Sequence, residues 1–447
     1  MKDPICPTST RGDSASDSFS AVHSHYKWHV VGMLWWISFF NYADRQAIFS
    51  VFDLLYREMD LGVGDRGLLG SSFALVYGLS APFAGFVIDR IRRKTAILGG
   101  LQVWSVICIA TAWSRNLRQL LFFRAAEGLG ETFYYPASVS MLSDYHGKRT
   151  RSRALGIHQT SVYLGTIGGG FFAGLIGEHY GWRWSFVVFG GLGVVLGIIL
   201  YRWLREPVRG ASELPKSTSQ STTSPTRLSA REVLRLIWNR PTVVMPMLAF
   251  VCANYVAMVL LSWMPTYLRE GFGLSLSMAG LAATIYAQLA SMVGAFIGGW
   301  IADLLRMRLA GGRVLVQALG VIAGAPFVFL CGQTDSMLVV ALALTAWGLF
   351  KGIYDANIFA SVFDVVEPEA RGTLAGLMNM VGWVGGGAVA PTAVDYLSAS
   401  YGLGPAISSA ASVYLAAGIF LLLAGLVFIK RDVAQIPLGQ PGVTQSG

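Results

Sequence analysis

Arg124, Glu127, Glu131 and Tyr135 recur at i, i+3, i+7 and i+11, so a helix would carry them on one face. They lie in Leu120–Tyr145, a mostly apolar stretch long enough to cross a bilayer. An ionisable residue at the centre of a membrane helix costs about 2.5–3.5 kcal/mol on insertion scales. Such residues persist where they face a bundle interior or a water-filled path. The plain account is a buried charge pair that ties two helices together. The sharper one is a site that moves a proton or binds a charged solute.

Other apolar stretches hold matching groups. Asn41-Tyr42-Ala43-Asp44-Arg45 sits in the first, and Lys351 and Asp355, four apart, sit in another with Tyr354 and Asn357. Helical rise sets Arg124 ~8 Å, Glu127 ~12 Å and Glu131 ~18 Å below the outer end of their span, with Asp44 at ~15 Å and Lys351 at ~20 Å in theirs. Asp44, Arg45, Arg124 and Glu127 can therefore meet across one interface, with Lys351 near Glu131 in depth. Arg45 and Arg124 offer planar forks that suit a carboxylate or phosphate, and Lys351 offers a point charge. Asp44 and Glu131 can change charge and so carry a proton. Glu127 joins them or simply neutralises Arg124. Tyr42, Tyr354, Asn254, Tyr255, Asn379 and Trp383 supply ring or amide contacts, either to a ligand or between helices. His158 and Gln159 lie nearer the inner surface, where a packed neutral histidine is the expected state.

The elements that must position these groups are membrane helices. The chain is 54% hydrophobic and 13% charged, against roughly 25% charged in soluble domains. Its 52 glycines fit close helix packing. Twelve spans are predicted: 28–54, 66–88, 95–114, 119–143, 154–177, 183–204, 242–268, 277–303, 314–332, 337–364, 373–397 and 404–429. Residues 1–27 read as a disordered tail, 28–204 and 242–430 as two six-helix bundles, 205–241 as a linker and 431–447 as a second tail. Ser, Thr and Pro make 215–225 flexible, while Leu228–Trp238 could form an amphipathic surface helix. With the N-terminus inside, 25 of the 34 Lys and Arg residues fall inside, six outside and three within spans. That asymmetry places both termini in the cytoplasm and reports topology, not nucleic-acid binding. The Gly181-Trp182-Arg183-Trp184 run reads as an interfacial anchor. The cysteines Cys6, Cys108, Cys252 and Cys331 show neither metal-ligand spacing nor a disulfide framework. No HExxH, GxSxG or P-loop occurs, so enzyme classes drop out.

A repeat supports the two halves. Gly85-x-x-x-Asp89-Arg90-x-Arg92-Arg93-Lys94 ends the second span, and Gly299-x-x-x-Asp303, followed by Arg306 and Arg308, ends the eighth. An Asp at a helix end beside basic loop residues can form a gate-side latch, with Asp89, Arg90, Arg93 and Asp303 as its members.

With these motifs the chain resembles the major facilitator superfamily from Trp28 to about Lys430. Arg92 stands where that family usually has Gly, and Leu304 follows Asp303 in place of a basic residue. Asn41–Arg45 together with Arg124 and Gly128-Leu-Gly130-Glu131 resembles the proton-coupled organic anion symporters, and is also similar to the spinster branch of lipid carriers. Trp263-Met-Pro265-Thr-Tyr-Leu268 tilts the reading toward organic anions. The Gly-Pro that drug antiporters of the superfamily carry in span 5 is missing from Leu164–Gly170. The resemblance implies an all-α protein of twelve spans, with spans 1, 4, 7 and 10 around a central cavity. It implies proton coupling at Asp44 and Glu131, and anion contact at Arg124. The expectation is a monomeric multi-pass transporter of the bacterial inner membrane. It would carry a small organic anion with a proton, without a cofactor or nucleic acid.

Overall fold

The computed structural model describes residues 13–88, 90–147, 150–207, 237–366 and 371–433. All of the regular structure there is helical. In the N-terminal part the helices are α1 (Asp13–Ser50), α2 (Phe52–Met59), α3 (Asp65–Ile88), α4 (Arg93–Thr111), α5 (Leu117–Glu131), α6 (Tyr134–Tyr145), α7 (Arg151–Tyr180) and α8 (Trp182–Trp203). In the C-terminal part they are α9 (Pro241–Phe272), α10 (Leu276–Arg306), α11 (Gly312–Cys331), α12 (Met337–Asp355), α13 (Ile358–Phe363), α14 (Arg371–Gly382), α15 (Val389–Tyr401), α16 (Leu403–Leu422) and α17 (Ile429–Val433). Wide π turns at Trp383–Gly387 and Leu423–Phe428 join α14 to α15 and α16 to α17.

Ten segments among the described residues are long and apolar enough to cross a membrane. The other two predicted spans are α1 and the α5–α6 pair, which carry Asp44 and Arg45, and Arg124, Glu127 and Glu131. The predicted fourth span is divided between two shorter helices, 15 and 12 residues long. Pro136 has no N–H to offer the Thr132 carbonyl, so the ladder breaks there. Helical backbone in α1 begins at Asp13, ahead of the span start read from the sequence. The expected surface helix over 228–238 falls almost wholly outside the described residues, which resume with a helical turn at 237–239.

Packing follows the small residues. Helix α1 lies along α7, α10 along α12, α4 along α8 and α3 along α5. The N-terminal helices meet the C-terminal ones where α7 packs on α10, where α3 packs on α14 and α15, and where α1 touches α9 and α10. Gly169 fixes the α1–α7 distance, because a Cβ there would lie 2.2 Å from the Ala43 carbonyl oxygen. Ala43 precedes Asp44, so this contact sets the depth of the charged groups. Gly169→Val is expected to cost at least about 1–3 kcal/mol through overpacking. The readout is a lower unfolding temperature and less monodisperse protein in detergent. A valine variant that melts like the parent would contradict the close approach.

Candidate functional site

Helices α1 and α5 bring five ionisable side chains into one buried cluster: Asp44, Arg45, Arg124, Glu127 and Glu131, none more than 8% exposed. Arg45 and Glu131 pair across the two helices. Nε and Nη2 of Arg45 donate to the same Glu131 oxygen at 3.0 and 2.5 Å. Nη2 also reaches Asn41 Oδ1 at 3.4 Å. Arg124 pairs one turn along its own helix, its Nη1 donating to Glu127 Oε2 at 2.5 Å. Asp44 Oδ1 accepts the backbone N–H of Arg45 at 2.8 Å.

The pairing leaves polar atoms over. Arg45 Nη1, Arg124 Nε and Nη2, Asn41 Nδ2, Glu127 Oε1 and Glu131 Oε1 are buried without a hydrogen-bond partner. Unsatisfied buried groups are rare and costly, and a cluster of them on ionisable side chains calls for an explanation. The formal charges are also unequal, with three carboxylates against two guanidinium groups. One added proton would balance them. Asp44, Cys108 and Glu127 set ligand-type atoms within 4.8 Å of one another, although their sequence spacing gave no hint of it. Two carboxylates and a thiol fall short of the six or more oxygens that calcium takes. The thiol donates to the Phe186 carbonyl at 3.5 Å.

Rings enclose Arg45. Its guanidinium carbon lies 4.6 Å from the Tyr42 ring centre, 4.8 Å from Phe73, 4.9 Å from Tyr77 and 5.5 Å from Trp383. Cation–π attraction of this kind holds a guanidinium plane in place without consuming its N–H groups. Phe73 also faces Arg124, at 4.9 Å. Trp383 opens the π turn of α14–α15 and packs against Tyr77, ring centres 5.0 Å apart and planes tilted by 59°, so both parts of the chain contribute to the enclosure. The sequence named Trp383 as a ring without placing it at Arg45. A π bulge is common at functional sites, but the run Trp-Val-Gly-Gly-Gly does not announce one.

Lys351 and Asp355, four apart on α12, form an intrahelical ion pair. Lys351 also lies within electrostatic reach of Tyr163 on α7 and Tyr42 on α1, so it faces the N-terminal helices. Other candidates have local partners. Asn254 donates to the Phe250 carbonyl of its own helix at 3.0 Å, and Asn357 to the Gly298 and Ile353 carbonyls. Tyr354 is buried near Tyr414, while Asn379 and Tyr255 are half-buried. His158 is buried, with Nε2 3.0 Å from the Tyr134 hydroxyl. That hydroxyl gives its one hydrogen to the Leu34 carbonyl at 2.5 Å. His158 must then be the donor to it through Nε2–H, as befits a packing histidine.

Of the gate residues read from the sequence, Asp89 lies outside the described residues. Arg93 pairs with Asp144, and Arg90 donates to the Phe86 carbonyl at 2.9 Å. Asp303 pairs with Arg313 at 2.8 Å, and Arg313 also holds Asp364 at 3.0 Å. A second set of charges, which the sequence reading missed, joins the two parts of the chain. Asp53 pairs with Arg269 at 2.6 Å, and Arg66 lies 3.5 Å from Asp395 and 4.0 Å from Glu270. Ser71 and Thr392 share a hydrogen bond at 2.7 Å, and Ser277 donates to Glu178 at 3.1 Å. These contacts lie at the end of the molecule where α1, α7, α9 and α15 finish and α3 and α10 begin. Each residue sits at a span end that looks like ordinary loop polarity, so only the fold reveals the pairing.

The Major Facilitator Superfamily profile matches residues 34–391. The chain is 25% identical to the D-galactonate transporter of Escherichia coli O6:H1 over 415 residues, 88% of this chain and 93% of that one. It is also 25% identical to the hexuronate transporter of Bacillus subtilis over 431 residues, 95% and 99% of the two chains. Protein spinster of Drosophila melanogaster is 25% identical over 83% of this chain and 62% of its own length. Among solved structures, a bacterial homologue of the human lysosomal transporter spinster superposes with a TM-score of 0.75 at 21% identity. The match covers 91% of this chain and 97% of that one. The all-helical fold, the buried charges in its apolar helices and these matches agree: the chain is a multi-pass membrane transporter that belongs to the Major Facilitator Superfamily.

Proposed function

We propose that this protein carries a small organic anion, a sugar acid or related carboxylate, together with a proton by alternating access. The observation that carries this reading is the buried cluster of three carboxylates and two guanidinium groups with unpartnered atoms on both kinds. Arg45 and Arg124 bind the carboxylate through their free N–H groups. Tyr42, Lys351, Asn254, Tyr354 and Asn379 contact the rest of the solute. Asp44 and Glu131 carry the proton, with Glu127 as their neighbour. When the anion takes Arg45, Glu131 loses its counter-charge and accepts a proton, so solute and proton occupy the site together. No cofactor takes part.

The chain acts as two six-helix bundles, 28–204 and 242–430, that rock about the site. It works as a monomer in the bacterial inner membrane with both termini in the cytoplasm. Asp89, Arg90, Arg93 and Asp303 control the cytoplasmic ends of the bundles. Two relatives named for sugar acids support this choice of solute. The spinster relatives make a lysolipid the natural control.

Counterflow in proteoliposomes tests the reading. Vesicles loaded with unlabelled galactonate or glucuronate are expected to accumulate the labelled compound transiently, while lysolipid-loaded vesicles do not. Counterflow of the lysolipid alone would overturn the anion assignment.

A further inference from the structure

We infer that Asp395 latches the outer end of the transporter shut by capping helix α3 from across the molecule. Asp395 belongs to α15 and is 1% exposed. Its Oδ2 accepts the backbone N–H groups of Gly64 and Gly67 at 3.1 and 2.9 Å, and its Oδ1 lies 3.5 Å from Arg66 Nη2. Gly64 and Gly67 bracket the first turn of α3. The first turn of a helix has N–H groups without partners and a partial positive charge, and a carboxylate answers both. Such caps ordinarily come from the residue just before the helix. Here the capping carboxylate is more than three hundred residues away, on a helix of the other bundle.

The surroundings are built for this contact. Gly67 has no alternative, because a Cβ would lie 2.5 Å from the Thr392 backbone and 2.7 Å from the Pro391 carbonyl oxygen. Gly64 has φ near +93° and seats against the Tyr396 ring. Arg66 is held over the rings of Tyr56 and Trp263 at 4.9 and 5.1 Å, which aims its fork at Asp395. The Asp53–Arg269 pair bridges the same end.

The inference rests on the alternating-access reading, since a contact between bundles is a latch only if the bundles part. In the outward-open state α3 must leave α15, and water must then satisfy both Asp395 and the first N–H groups of α3. Asp395 therefore positions the bundles and touches neither solute nor proton. Its removal shifts the balance between states without unfolding the protein.

The test uses the full chain with its four native cysteines replaced by serine and Ser50→Cys as reporter. Ser50 is 3% exposed and lies under the seam beside Gly280. The probe is a membrane-impermeant maleimide added to the outer side of cells. Asp395→Ala is expected to speed labelling about tenfold, equivalent to 1.4 kcal/mol in the balance of states. Asp395→Asn should fall between, Asp395→Glu should restore slow labelling, and the unfolding temperature should stay near that of the parent. Labelling is independent of any solute, so it stands even if no sugar acid is carried. Unchanged labelling in folded Asp395→Ala would overturn the latch. If that variant does not fold, Asp395→Asn decides, because it keeps the size of the side chain and removes the charge that answers both the first turn of α3 and Arg66. Faster labelling there supports the latch, and parental labelling refutes it.

Discussion

Arg45→Lys is expected to weaken anion binding by about 1.5–3 kcal/mol, the usual worth of a hydrogen bond to a charged group. The dissociation constant should rise roughly ten- to hundredfold. The charge survives this substitution, so the loss isolates geometry. Arginine at 45 holds Glu131 with Nε and Nη2 and leaves Nη1 buried and unpartnered. Its guanidinium also lies over the rings of Tyr42, Phe73, Tyr77 and Trp383. A lysine ammonium has no plane to stack and no fork to divide between two carboxylates. Arg124→Lys should follow in the same direction with a smaller effect. That side chain is tied to Glu127 within its own helix and meets only Phe73 among the rings of the enclosure. Binding titrations on purified protein compare the two. Parental affinity in Arg45→Lys would reduce this arginine to a structural counter-charge for Glu131.

Asp44→Asn and Glu131→Gln are each expected to abolish uptake driven by a proton gradient while the protein still folds. The argument is one of charge. Three buried carboxylates face two buried guanidinium groups, so the empty site is one proton short of neutral. An incoming anion adds a further negative charge, which a second proton offsets. Glutamine at 131 is permanently neutral. It mimics the protonated acid and frees Arg45 for the anion, so exchange can continue after accumulation has failed. Asparagine at 44 removes the other acid. Uptake with and without a pH gradient is the measurement, with counterflow as the check on folding. Gradient-driven accumulation that survives in both variants would remove these residues from coupling.

Much of this was legible in the sequence because the bilayer makes charge conspicuous. Asp44, Arg45, Arg124 and Glu127 stand out among apolar neighbours, and helical rise placed their depths close enough to meet; Glu131 was matched in depth to Lys351, whereas it pairs with Arg45. Which acid pairs with which arginine was not legible, since depth carries no rotation about the helix axis. The break at Thr132–Phe133 was foreshadowed by Pro136 alone. The ring enclosure was hidden because Tyr42, Phe73, Tyr77 and Trp383 come from three separate segments, each of which is rich in aromatics for lipid and packing reasons. The charged seam between the two parts of the chain was hidden for the opposite reason. Asp53, Arg66, Arg269, Glu270 and Asp395 lie at span ends, where charge is expected and attracts no notice. Their significance is a property of partners far apart in the chain.

The most direct test of proton–anion symport is proton movement itself. Proteoliposomes with a pH-sensitive dye in the lumen, and no initial gradient, receive a sugar acid on the outside. The account predicts acidification of the lumen that begins with substrate addition, saturates with its concentration and disappears in Glu131→Gln. Entry of the labelled acid with no change in lumenal pH, or with alkalinisation, would contradict it.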